Sequence, residues 1–393
     1  MQSNNKVDYS QFSLVIIKNN ELLDSVRDYF YQRLLHDFDD EYVYQTELSD
    51  IDSCLNQNVK TKYAVVIQEG ILFFQHIDYN FLKEVAKDID EYSLIGHLLD
   101  RKERYYHLHQ QHFILNMEHW KQCKQPSFLH RQESELADID RSDENFHDDY
   151  TPVWIKKLGS NTTSCNKLKF GGYVISEILK NNFKVRPFNH RERNAKKFCY
   201  YETYEQLNGV FNFDPIHPYS YYYPKATSHR IKEFNKEYTN YISVANGIES
   251  LKRVKNVYQN INSITFYDMS ITALIFTELL IKNFKGNYKE FVQDFDDAGA
   301  GKWNFIDQDY NLLNEYETDS VLPILEHIRN NDVQVKYLFG DITRTSILEN
   351  ISTNTLINLS NVFNWSYNTI RKDEWTYWLD KVKNHQADIQ WLL

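Results

Sequence analysis

The chain lacks the features that would assign it at once to several large classes of protein. No apolar run approaches the roughly 20 residues that span a bilayer, and the opening MQSNNKVDYS is polar, without the apolar core of a signal peptide. No long Lys/Arg run occurs, and the formal net charge is −11. A protein that tracks a nucleic-acid backbone needs a cationic face. The best basic cluster, RERNAKK at 191–197, reads more simply as a solvated face. Cysteine is limited to Cys54, Cys123, Cys165 and Cys199, with no Cys-x-x-Cys pair, which argues against a zinc ribbon and a disulfide framework. Glycine (11) and proline (7) are few, and neither an internal repeat nor a low-complexity tract is seen. These absences predict a soluble cytoplasmic protein with free thiols, no membrane partner and no nucleic-acid partner.

What is present is a globular composition, 42% hydrophobic and 25% charged over 393 residues, enough for more than one core. Aromatics are abundant, with 29 Tyr and 24 Phe. They would suit a sugar- or base-stacking surface, and an AT-rich coding sequence would produce the same bias.

Strand-like and helix-like segments alternate through the first 125 residues. SLVIIKN (13–19) reads as a buried strand, and 24–38 sets Val26, Phe30, Leu34 and Leu35 at helical spacing. A helix is expected at 47–58, a single strong strand at 62–74, an amphipathic helix at 81–92 and a strand at 92–100. This alternation predicts an α/β domain with a largely parallel sheet. The segment 133–150 carries eight acidic residues against one Arg. It reads as a solvated loop, with an acidic metal site as the sharper alternative. The middle has one good helix, 171–182, and holds three of the seven prolines within 213–225. The expected division is 1–150, a connecting region 151–239, and 240–393.

In the last third, apolar strands repeatedly end on polar residues: 241–247 on Asn246-Gly247, 263–268 on Asp268, 333–341 on Asp341, and 355–363 through Ser360-Asn361. Ligands of open α/β sheets lie outside the carboxyl ends of the strands, so these residues would line one rim. Helices are expected at 270–284 and 375–385, and a fifth strand at 387–393. Asp268 and Asp341 could instead cap the helices that follow, as could Ser360 and Asn361, and Asn246-Gly247 could be a plain turn.

From 241 to 393 this order resembles the class I S-adenosylmethionine-dependent methyltransferases, which have a Rossmann-like sheet. The resemblance implies that Asn246-Gly247 approach the cofactor by backbone, that Asp268 holds the ribose hydroxyls, and that Asp341 contacts adenine. It places Ser360-Asn361, followed by Phe363 and Trp365, facing the methyl group. Asp268 follows Asn246 by 22 residues, close to the roughly 20 that a strand–helix–strand unit imposes. The loop has Gly247 as its only glycine, and the chain ends near the fifth strand, a truncated version of the fold.

Residues 10–125 resemble the GT-A fold of nucleotide-sugar glycosyltransferases, on the 13–19 strand, the segment 62–74 and LHQQHFILNMEHW (108–120). In that family an Asp-x-Asp pair holds a divalent cation against the diphosphate. Gln68-Glu69-Gly70 stands at the matching position with one carboxylate, so little metal-dependent transfer is expected. Asp100 is a candidate base, or pairs with Arg101 or Arg104. His107, His109 and His112 form a cluster, but on a strand His112 falls on the opposite face from the other two, and hydrogen-bonded structural histidines are the plainer reading.

Together the resemblances imply a carbohydrate-modifying transferase that uses S-adenosylmethionine on a glycan or nucleotide-sugar substrate. The alternative is a non-catalytic interaction or assembly protein built on the same two folds. The apolar end, with Trp391, Leu392 and Leu393, is expected to be buried, against the N-terminal half or in a homo-oligomer formed through the C-terminal sheet edge.

Overall fold

The computed structural model describes residues 9–34, 40–73, 90–101, 105–130, 170–187, 198–200, 236–295, 320–360 and 372–391. The chain divides into two compact units. One comprises Met1–Glu21 and Phe30–Cys199, the other Leu22–Tyr29 and Tyr200–Leu393. Among the described residues no helix is long and apolar enough to cross a membrane.

In the first unit, β1 (Phe12–Ile17) is buried along its whole length. After it come α1 (Asp24–Leu34), whose residues up to Tyr29 belong to the second unit, β2 (Val43–Thr46) and α2 (Ile51–Gln57). The segment expected as one strand at 62–74 is two, β3 (Tyr63–Gln68) and β4 (Ile71–Phe73). Glu69-Gly70 turns the chain between them, with Gly70 at φ +108°. Gln68-Glu69-Gly70 interrupts the apolar run there, a break that the reading as one strand passed over. Next are β5 (Leu94–Arg101), β6 (Tyr105–Asn116), α3 (Met117–Gln122), α4 (Gly172–Lys180), β7 (Val185–Pro187) and β8 (Phe198–Tyr200). The expected helix at 81–92 and the acidic segment 133–150 lie outside the described residues, apart from 90–92.

The sheet order is β2-β1-β3-β6-β5-β7, with β4 and β8 forming a separate two-stranded sheet. The sheet is mixed rather than largely parallel. β6 runs antiparallel to β3 and β5, whereas β1–β2, β1–β3 and β5–β7 are parallel. On one face Val15, Ile17, Ala64, Val66, Phe113 and Leu115 form a core with Ile51, Leu55, Trp120, Val174 and Ile178 from the helices. Each such side chain contributes roughly 1.5–3 kcal/mol by leaving water. α3 begins where Asn116 accepts from the Glu118 and His119 amides, satisfying two otherwise unpaired donors.

Cys54 and Cys123 are free and buried in this core. Burial raises both thiols, Cys123 to about 11, so little of the reactive thiolate forms near neutrality. Peptide mapping after alkylation should find both unlabelled in the native protein and labelled in denaturant. Native labelling at the rate of an exposed cysteine would contradict their placement.

The second unit holds β9 (Asn240–Val244), α5 (Gly247–Lys252), β10 (Ser263–Asp268), α6 (Ile271–Asn283) and α7 (Tyr288–Phe295). It continues with α8 (Leu322–Asn330), β11 (Gln334–Phe339), α9 (Thr345–Leu348), β12 (Thr355–Ser360), α10 (Lys372–Asn384) and β13 (Asp388–Trp391). All its strand pairs are parallel, in the order β11-β10-β9-β12-β13. β9, β10 and β11 are therefore laid down in one direction and β12 and β13 in the other. With right-handed crossovers, that reversal puts the connecting helices on opposite faces. One face carries Ile242, Val244, Tyr267, Ile357 and Leu359, packed with Ile347 and Leu348 of α9 and Trp375, Trp378 and Val382 of α10. α6 packs against β10 and β11 and is buried from Ile271 to Ile281, as expected of a helix apolar on all sides. Ser270 caps its start by accepting the Ala273 amide at 3.1 Å. Arg329 caps its end, donating to the carbonyls of Leu280, Ile281 and Phe284. At the chain's end, Asp388 and Ile389 of β13 are half-buried, and Leu392 and Leu393 lie outside the described residues.

Candidate functional site

The parallel sheet reverses its order between β9 and β12, and in open α/β sheets the crevice at such a reversal is where ligands bind. Asn246-Gly247 leave the carboxyl end of β9, and Ser360 ends β12 on the other side of the reversal. Asp268 ends β10, the next strand over, and Asp341 follows β11. The topology thus gathers Asn246, Gly247, Asp268, Asp341 and the Ser360 backbone at one rim. Asn361, Phe363 and Trp365 lie outside the described residues, and the Ser360 side chain is not described.

The loop after β9 is held from below. Ser250, fully buried, accepts the Asn246 amide at 2.8 Å and donates to the Val244 carbonyl at 2.7 Å. The Tyr241 hydroxyl donates to the Ser250 carbonyl at 2.6 Å, and burial raises that phenol, so it stays protonated. Gly247 sits at φ +48°, a left-handed backbone that glycine adopts readily. Asn246 occupies the N-cap position of α5, yet its side chain makes no capping hydrogen bond. Its Oδ1 is buried and meets no hydrogen-bond partner among the described residues. A buried unsatisfied acceptor costs about 1–3 kcal/mol, so Asn246 fits a ligand that presents an N–H or O–H donor at the reversal.

Asp268 and Asp341 differ in what their own loops ask of them. Asp268 Oδ1 accepts the Ser270 amide at 2.8 Å, ordering the turn into α6, while Ser270 does the capping. The carboxylate is half-buried, and Met269 beside it is exposed. Asp341 Oδ1 accepts both the amide and the hydroxyl of Thr343, so this oxygen serves its own turn. The two loops touch through the Gly340 amide, which donates to the Asp268 carbonyl at 2.8 Å. The helix-capping role open to both aspartates is not the one they take: Ser270 is the N-cap of α6 and Arg344 that of α9, and the carboxylates order their own turns instead.

Sequence reasoning missed the polar pair under the crevice. Asn358 of β12 lies opposite Ser243 of β9, and its Nδ2 donates to the Ser243 hydroxyl at 2.9 Å, both residues being buried. Polar residues at the same register position of two otherwise apolar strands were the signal.

In the first unit, Glu69 is 5% exposed. Its Oε2 accepts the Asn19 amide at 3.0 Å and its Oε1 the Tyr31 hydroxyl at 2.6 Å. The carboxylate thus ties the loop after β1 and the second half of α1 to the end of β3. Asp100 is on β5 opposite Tyr106 of β6, and its side chain is not described, nor are those of His107 and His109. His112 is buried opposite Ile67 of β3, and burial pushes its imidazole down to about 3. No group of three His, Cys, Asp or Glu able to hold a metal ion occurs among the described residues. No protein-family model matches the chain, and no curated protein matches it either.

Proposed function

We propose that the second unit is a class I S-adenosylmethionine-dependent methyltransferase-like domain of Rossmann-like architecture, and that the protein methylates a glycan. The observation that carries this reading is the all-parallel order β11-β10-β9-β12-β13, with Asn246-Gly247 and Ser360 on the two sides of its reversal. Asn246 Oδ1 would accept from an amino or hydroxyl group of the cofactor, and Asp268 would accept from the ribose hydroxyls. When bound, S-adenosylmethionine supplies a methyl group on a sulfonium, so the protein's main task is to align the acceptor oxygen. Ser360 and Asn361 are the candidates for that alignment, and the GT-A glycosyltransferase-like first unit would recognise the glycan or nucleotide sugar.

Calorimetric titration with S-adenosylmethionine and S-adenosylhomocysteine, beside NAD and a panel of nucleotide sugars, tests the reading. Asp268→Asn is the sharper variant, because the amide oxygen still accepts from the Ser270 amide while the charge is lost. Losing charged hydrogen bonds worth about 1.5 kcal/mol or more should weaken binding roughly ten-fold. No binding by wild type, or equal affinity in both, would remove the cofactor from the account.

A non-catalytic assembly protein is the second reading, and the Glu69 contacts favour it. The candidate carboxylate of the first unit is engaged by Asn19 and Tyr31, a structural use for the residue that metal-dependent sugar transfer would need. Binding of S-adenosylmethionine without turnover on any glycan would support this second reading.

A further inference from the structure

We propose that Asp28, near the start of the chain, is a positioning residue of the candidate site at the carboxyl ends of β9 to β12. It would act through Arg344 to hold the loop 340–344, which carries Asp341, against Asp268. The inference rests on reading that rim as the nucleoside site, and it assigns a role to a segment outside the 241–393 methyltransferase resemblance.

The segment Leu22–Tyr29 belongs to the same compact unit as the rim. Asp28 accepts three hydrogen bonds there. Its Oδ2 takes the Phe339 amide at 2.7 Å and Arg344 Nη1 at 2.7 Å, and its Oδ1 takes Arg344 Nη2 at 3.0 Å. The two side chains are 19% and 14% exposed. A two-pronged guanidinium–carboxylate pair of this kind fixes orientation as well as distance. Phe339 ends β11, which among the described residues has β10 as its one neighbour in the sheet, so Asp28 satisfies an amide on that edge. The Tyr29 ring adds an edge-on contact with the Phe339 ring, centroids 4.5 Å apart.

From Arg344 the connection runs into the loop. Its Nη1 also donates to the Phe339 carbonyl, and its backbone amide donates to the Asp341 carbonyl at 3.1 Å. Gly340 lies at φ +137°, and a Cβ there would stand 3.0 Å from Arg344 Cδ. The stem of Arg344 therefore occupies the space beside Gly340 and shapes the path from β11 to Asp341. Gly340 in turn donates its amide to the Asp268 carbonyl. Asp28, Arg344, the loop and Asp268 form one continuous hydrogen-bonded chain, so a change at Asp28 reaches the rim without Asp28 touching a ligand there.

The test uses the full-length protein and S-adenosylhomocysteine as probe. Its affinity is measured for wild type, Asp28→Asn, Asp341→Ala and the double variant, together with hydrogen exchange of the backbone amides 339–344. Asp28→Asn should weaken binding by about five-fold or more, and should add nothing in the Asp341→Ala background if it acts through that loop. Exchange at Gly340 should quicken in the same variant. If Asp28→Asn does not fold, Arg344→Lys keeps the charge, loses the fork and should behave alike. Wild-type affinity with unchanged exchange would overturn the proposal, as would a loss that persists undiminished beside Asp341→Ala. If wild type takes up no S-adenosylhomocysteine, the nucleoside reading fails by itself. The exchange data then decide the positioning role, and unaltered protection of Gly340 overturns it.

Discussion

Replacing Glu278 by alanine is expected to destabilise the second unit by about 3–5 kcal/mol, from losing two buried hydrogen bonds to a charged acceptor at about 1.5–3 kcal/mol each. Glu278 is fully buried in the middle of α6. Its Oε1 accepts the Asp24 amide at 2.9 Å and its Oε2 the Ser25 amide at 2.8 Å. Those are first-turn amides of α1, which have no partner within their own helix and carry the positive end of its dipole. Lys282, one turn along α6, donates to Oε1 at 2.6 Å and is half exposed, so it can return to water when the carboxylate is removed. The Ser25 amide has no such recourse, because Ser25 is buried. Glu278→Gln keeps one acceptor and should cost about half as much. Urea unfolding of the full chain at pH 7 checks this. An unchanged midpoint in Glu278→Ala would show that the carboxylate contributes no net stability. The same contacts predict that residues 200–393 produced alone, without Leu22–Tyr29, unfold at lower urea than the second unit does in the whole protein.

Glu278 also shows what kind of feature the sequence hides. The apolar run 270–284 announces a buried helix, and a lone carboxylate within it announces a partner, but nothing local says that the partner is the first turn of a helix beginning at Asp24. Strand ends were legible where β-branched apolar runs stop at polar residues: 263–268 is the full extent of β10, while the run expected at 355–363 is strand over 355–360 and 361–363 lie outside the described residues. Neighbour order was not legible, since it depends on which way each crossover runs. At the rim, Asn246-Gly247 could be read as a plain turn, but only the structure shows that Ser250, four residues on, takes the Asn246 amide while the Asn246 side chain caps nothing. Asp28 and Arg344 are two ordinary surface-type residues in sequence. Their pairing is a product of the fold.

Acid should destabilise the first unit through His112. The side chain is 1% exposed on β6, and burial pushes its imidazole from the ordinary 6.5 down to about 3. The unfolded chain therefore takes up a proton that the folded chain refuses. The contribution of the neutral histidine is fully present above pH 6.5, is lost as pH falls below that value, and is exhausted near pH 3. Over the whole window the loss is about 5 kcal/mol, and about 2 kcal/mol of it falls between pH 6.5 and pH 5. Carboxylates elsewhere also titrate in acid, so the informative quantity is a difference between proteins. His112→Met, which is uncharged at every pH, should lose about 2 kcal/mol less than wild type between pH 7 and pH 5 in urea titrations. The variant's own packing cost at Ile67 enters equally at both pH values and cancels from that comparison. Parallel pH profiles for the two proteins would mean that the folded state protonates His112 as easily as the unfolded state, against the desolvation that its burial imposes.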